Sequence, residues 1–284
     1  MDESFYSIFC IYWFINNIKQ RRTDFTSGMK NAVCLLTKTP NVIWFDFLKG
    51  FTNYDIYVII DDNSIDYGRI FSFLYKNIKI IQIDNQICYD HGYKNCNSAV
   101  GFPEVISWDK AMYLFCEIIC IHEHIWFIED DVFLNNERVL TTIDNNYPSS
   151  DLLTAFHETN VTGDVRTGWN HWVNVIDRIE PPWSHSMVCA CRISRPLFEK
   201  IKEYNKQKGH LFFIEAMFNT IANQNGLRID NPPQLSTIHW NTKWDVKKID
   251  IDKLYHPIKR IIEHTYIRES VSSQSDGLCL VPPS

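Results

Sequence analysis

What this sequence lacks narrows its reading early. Its nine cysteines include no C-x-x-C pair, which removes zinc ribbons and thioredoxin-like redox sites. It has no excess of positive charge. The 28 Lys+Arg stand against 34 Asp+Glu, a formal net charge of -6, so nothing draws the chain to phosphate backbones in general and no nucleic-acid partner is expected. There is no G-x-x-x-x-G-K-S/T loop for phosphoryl transfer, and "DDNSIDYG" lacks the D-x-D-x-T pattern of an aspartyl-phosphate phosphatase. "LLTKTPN" is too poor in glycine for the phosphate loop of an enzyme that makes sugar nucleotides. No Pro/Gly/Ser-rich linker, repeat or low-complexity tract divides the 284 residues. We therefore read residues 1–284 as one domain with two halves, about 25–150 and about 151–284.

Long apolar runs are scarce as well. "SFYSIFCIYWFINNIKQRR" is the one segment to weigh against a membrane, and Asn16 and Asn17 make it too polar and too short for a span. It reads as a buried or amphipathic helix, with peripheral membrane contact through this segment as the other reading. The thiols read as reduced and buried, with Cys189 and Cys191 on one layer of a strand, which favours a cytoplasmic location. The sequon Asn160-Val161-Thr162 matters only inside a secretory lumen.

What is present is a core. The chain is 45% hydrophobic, and "NAVCLLTKTP", "YDIYVIIDDNS", "IKIIQID" and "HIWFIEDDVFL" read as buried strands alternating with the helical spacing of "NVIWFDFLKGF", "YGRIFSFLYKN" and "SWDKAMYLFCEIICIHE". That alternation predicts an α/β fold with a Rossmann-type, mostly parallel sheet flanked by helices. After residue 150 the pattern becomes mixed α+β. "DLLTAFHE", "WNHWVNVI" and "HSMVCACRIS" read as strands, and "PLFEKIKEYNKQ" and "LFFIEAMFNTIANQNG" as helices, the second capped near Gly226.

Two strands of the first half end in acids. Asp61 and Asp62 close one; Glu129, Asp130 and Asp131 close another. Three crowded carboxylates between two apolar stretches call for positive charge, because like charges repel and each resists losing its water. Mn²⁺ or Mg²⁺ with a phosphate ligand meets that need. In an extended segment Glu129 and Asp131 point the same way and Asp130 the other, so Glu129 and Asp131 form the ligand pair.

The two acidic elements, "IYVIIDDNSID" then "IWFIEDDVF", resemble those of GT-A fold glycosyltransferases that use nucleotide-diphospho-sugars. The resemblance covers roughly residues 30–140 and is loose beyond. It implies a GT-A-like sheet, a nucleotide-sugar donor (a UDP-sugar first), a divalent cation at the D-x-D-like motif and a glycan, protein or small-molecule acceptor. By position, Asp61 or Asp62 would bind the base, Thr37 would lie against the nucleoside, Lys110 near the ribose or diphosphate, and Asp130 and Lys259 near the diphosphate. His256, with His239 as the other choice, would complete the metal site; Lys110 also reads as part of a solvated helix face.

Glu215 is the sole charge in the apolar helix start "LFFIEAMFNT" and is the candidate general base for an inverting transfer. Its other reading is a helix-start acid favoured by the macrodipole. Trp169, Trp172 and Trp183, with Asp164, His171 and His185, offer an acceptor platform, Trp183 foremost because Pro181 and Pro182 hold it outside regular structure. The rival is a non-catalytic carbohydrate-binding or scaffold protein that keeps the fold.

Overall fold

The computed structural model describes residues 30–97 and 103–276; the N-terminal apolar segment lies outside them. The expected alternation is present: β1 (Ala32–Thr37), α1 (Val42–Leu48), β2 (Asp55–Ile60), α2 (Tyr67–Phe71), β3 (Ile78–Gln82) and α3 (Asn85–Asp90). Asn41 caps α1 by accepting from the Ile43 amide at 2.8 Å. α4 (Ser107–Tyr113) runs into a π-turn over Leu114–Ile118 and delivers the chain to β4 (His124–Glu129) and α5 (Glu137–Asn146).

The second half supplies β5 (Leu152–Leu153), β6 (Glu158–Asn160), β7 (Trp183–His185), β8 (Ala190–Ser194), α6 (Arg195–Lys208), α7 (Ile214–Gln224), β9 (Ile229–Asp230) and α8 (Ile261–Asp276). "WNHWVNVI" is not a strand. Residues Asn170–Asn174 form a 3-10 turn, whose period of three brings Trp169 and Trp172 into edge contact at 4.9 Å. Gly226, with φ +65, follows α7 as expected.

One seven-stranded sheet, in the order β3-β2-β1-β4-β8-β5-β9, draws on both halves. β3, β2, β1 and β4 run parallel, β8 is antiparallel to both neighbours, and β9 is parallel to β5. The fold is thus α/β with a mostly parallel sheet. Alternate residues serve opposite faces: Cys34, Leu36 and Phe127 enter one core cluster, and Val33, Leu35 and Trp126 the other. Arg192 of β8, 1% exposed, donates to Asp144 of α5 at 2.7 Å, and Asp144 also accepts from Trp126 and Tyr54. Its two terminal nitrogens are partnered, by Asp144 and by the Tyr147 and Ser150 carbonyls, which ties α5 to the sheet.

Strand order reverses between β1 and β4, so a crevice opens beyond their carboxyl ends. Thr37 and Glu129, their last residues, stand on its rim.

Candidate active site

The acidic motif divides among three partners. Glu129, at the end of β4, accepts from the Trp108 indole at 2.7 Å. Burial pushes its carboxyl up, with Asp131 adding to the rise against the indole hydrogen bond. Asp130 turns to β1, with Oδ2 2.5 Å from the Thr37 hydroxyl; its backbone carbonyl accepts from the Trp44 indole at 2.9 Å. Asp131 meets His256 Nε2 at 3.2 Å and Lys259 Nζ at 2.7 Å. Burial opposes its charge, but His256 and Lys259 outweigh that and hold its carboxyl at about 2. The chain's own cations therefore supply part of the positive charge that the three acids call for.

His256 is 4% exposed and fixed from behind. Its Nδ1 lies 2.5 Å from the His239 carbonyl, an acceptor only, so Nδ1 carries a proton and donates. Nε2 is left facing the acids. A bare lone pair there would oppose Asp131, so Nε2 carries a proton or meets a cation. Burial alone would lower the imidazole's pKa, yet Asp131 and Glu129 raise it overall. His239 itself is exposed and contributes its carbonyl through the bridge between Ile238 and His256.

Ligand atoms of Glu129, Cys189 and His256 lie within 4.8 Å of one another. Donors about 2.0–2.3 Å from one tetrahedral ion stand roughly 3.3–3.8 Å apart, so the three would have to draw together by side-chain rotation to hold a single divalent cation. Metal-binding histidines usually give their far N–H to a carbonyl or carboxylate in this way, which fixes the ring with its other nitrogen toward the ion. Cys189 was not a site candidate from sequence. It precedes β8 and packs in the cluster with Ala190, whereas Cys191 enters the opposite one, so the two thiols do not share a layer. Strand alternation puts residues i and i+2 on one face, but Cys189 lies just before the first residue of β8 and so outside that alternation.

Glu215 opens α7 half-buried, and its carboxylate has no hydrogen-bond partner among the described residues. Burial, then the nearby Glu129 charge, pushes it up to about 7, against a lowering by His256. Its neighbours in charge are thus members of the cation cluster.

At the other rim, Lys110 is fully buried rather than part of a solvated helix face. Its ammonium donates to the Asp61 carbonyl at 2.6 Å and lies 3.5 Å from the Asp61 carboxylate. Asp62 accepts from the Tyr67 hydroxyl at 2.7 Å and from the Ser64 amide at 2.8 Å, which hold its carboxyl at about 2. The platform expected from the tryptophans is rearranged. Trp183 belongs to β7, is 2% exposed and donates to the Ile179 carbonyl, because the two prolines lead into a strand rather than a free loop. Half-buried Trp169 instead stacks on His185 at 4.2 Å and on Phe213 at 5.5 Å. Asp164 pairs with exposed Arg166 in a surface turn.

No family profile matches the chain, and no curated protein matches it. Among solved structures, the galactosyltransferase LgtC in complex with donor and acceptor sugar analogues aligns over 89% of this chain and 97% of its own, at 10% identity and a TM-score of 0.45. Mouse xyloside xylosyltransferase 1 aligns over 72% and 84%, at 13% identity and 0.39. A 4-diphosphocytidyl-2C-methyl-D-erythritol synthase from Anaerococcus prevotii aligns over 86% and 96%, at 9% identity and 0.44. At these values function has to be argued from the site itself.

Proposed function

We propose that the chain is a glycosyltransferase that moves a sugar from a nucleotide-diphospho-sugar to an acceptor hydroxyl. The observation that carries this reading is His256, whose fixed Nδ1 proton leaves Nε2 turned toward Glu129 and Asp131 in the crevice where strand order reverses. Glu129, Asp131 and His256 would hold a divalent cation, Mn²⁺ or Mg²⁺ in the simplest form of the reading, which when bound neutralises the donor's diphosphate. Lys259 is exposed along most of its side chain, so it can exchange Asp131 for a phosphate oxygen.

Asp61 and Asp62 face the base in this reading. Lys110 and Thr37 act behind them, Lys110 by fixing the Asp61 carbonyl and Thr37 by tying Asp130 to β1. Glu215 takes the acceptor's hydroxyl proton as that oxygen bonds to the anomeric carbon, while the bond from that carbon to the diphosphate breaks and its electron pair leaves with the nucleotide. A carboxyl with a pKa near neutrality suits that exchange.

The test is a thermal-shift screen of UDP-, GDP- and CMP-sugars with and without Mn²⁺. A cation-dependent shift with one nucleotide class, lost in Glu129→Gln, supports the reading. Lys259 and His256 already balance Asp131, which favours a second reading, a non-catalytic carbohydrate-binding protein. Glycan binding that needs neither nucleotide nor cation would establish that reading instead.

A further inference from the structure

Cys189 is the member of the cation cluster that neither the resemblance nor the acid motif anticipates. Its backbone carbonyl accepts from the Glu129 amide at 2.9 Å, which pins it opposite the last residue of β4. Its thiol sulfur stands with a Glu129 carboxylate oxygen and a His256 ring nitrogen inside 4.8 Å, at 7% exposure. Three donors of different chemistry converge from three parts of the chain, and the histidine is already tied back to a carbonyl as ligating histidines are.

We propose that Cys189 is a thiolate ligand, and that this site takes a thiophilic ion such as Zn²⁺ or Co²⁺ ahead of Mg²⁺. The inference rests on the cation-dependent reading given above and changes the class of ion in it. Sulfur, nitrogen and one carboxylate oxygen form a ligand set that suits zinc-like ions, whereas Mg²⁺ demands oxygen ligands in octahedral geometry and keeps its waters. Three protein donors also leave a position open for a phosphate oxygen or water. On binding, the ion replaces the thiol proton, which goes to solvent.

The full chain is loaded with Co²⁺ under a non-thiol reductant, bound metal is measured by equilibrium dialysis, and the near-ultraviolet sulfur-to-cobalt charge-transfer band is recorded. We expect one bound ion and a clear band. Cys189→Ser should lose the band and weaken Zn²⁺ binding by roughly 100-fold or more, leaving weak Mg²⁺ binding unchanged. Cys191→Ser, in the opposite core cluster, and Cys120→Ser, on the surface, should keep both. Cobalt bound to the parent chain without the band overturns the thiolate ligand and leaves the proposed function standing. A band that survives Cys189→Ser overturns it as well. No bound cobalt, with nucleotide-sugar binding indifferent to any divalent ion, overturns the cation reading itself. If Cys189→Ser fails to fold, Cys189→Ala makes the same comparison, and a parent spectrum without the band still overturns the proposal.

Discussion

Thr37 Oγ1 stands 2.5 Å from Asp130 Oδ2 and 2.8 Å from the Thr39 carbonyl, and a hydroxyl has one proton to give. The hydroxyl proton is therefore divided between the Asp130 carboxylate and the carbonyl. Burial pushes the Asp130 carboxyl up, and the Thr37 hydrogen bond works against that rise. The pair joins β1 to β4 across the crevice. Thr37→Val should therefore destabilise the protein by about 1–3 kcal/mol in urea unfolding, while Thr37→Ser should stay within about 1 kcal/mol of the parent. Equal stability of all three proteins would show that the bridge contributes nothing.

On the proposed reading, Lys110 would act on nucleotide binding through the Asp61 loop, whose carbonyl it holds. Lys110→Met fills the same space but leaves the Asp61 carbonyl without its donor. We expect a folded protein whose donor KM rises about tenfold with kcat little changed, since binding shared by ground and transition states is what is lost. Steady-state kinetics check this, and a kcat loss alone would place Lys110 elsewhere.

For Glu215, the Gln variant keeps shape and cannot take a proton. Transfer should fall about 10²- to 10⁴-fold with donor binding retained. The parent rate should climb with pH through about 7 in the absence of other titrations, and the variant should show no such limb. Stability carries the opposite slope: the folded carboxyl keeps its proton to higher pH than the unfolded one, so stability declines as pH rises from 4.5 to about 7. Glu215→Gln should remove that decline.

His264 sets an acid limit. Burial lowers its pKa from 6.5 to about 4, while its Nε2 donates to the Ile258 carbonyl at 3.0 Å. The unfolded chain binds the proton first as pH falls, so stability is complete above pH 6.5 and is lost down to about pH 4. That loss should reach roughly 3 kcal/mol. His264→Phe should flatten the profile over this window in denaturant titrations at successive pH values.

The first half of the sheet was legible because each strand carries its signal locally, an unbroken apolar run such as "YVII" stopped by acids. The acids at the strand ends were legible for the same reason. Cys189 and the role of Lys110 were not, since both depend on pairing between distant segments: Cys189 on the register of β8 against β4, and Lys110 on α4 crossing the end of β2. Trp183 misled because two prolines usually mark a loop, and here they sit just outside a three-residue strand. His239 was considered for its ring, and its carbonyl turned out to matter; side-chain reasoning from sequence does not reach backbone acceptors.

The span of chain between Asp131 and Lys259, 128 residues, has a consequence for biogenesis. During synthesis the β4 acids leave the ribosome well before His256 and Lys259, and domains fold as their segments emerge. Until residues 256–259 arrive, Asp131 stands without its two cationic partners. On the proposed reading, metal affinity would therefore be acquired with the late His256–Lys259 segment rather than with β4.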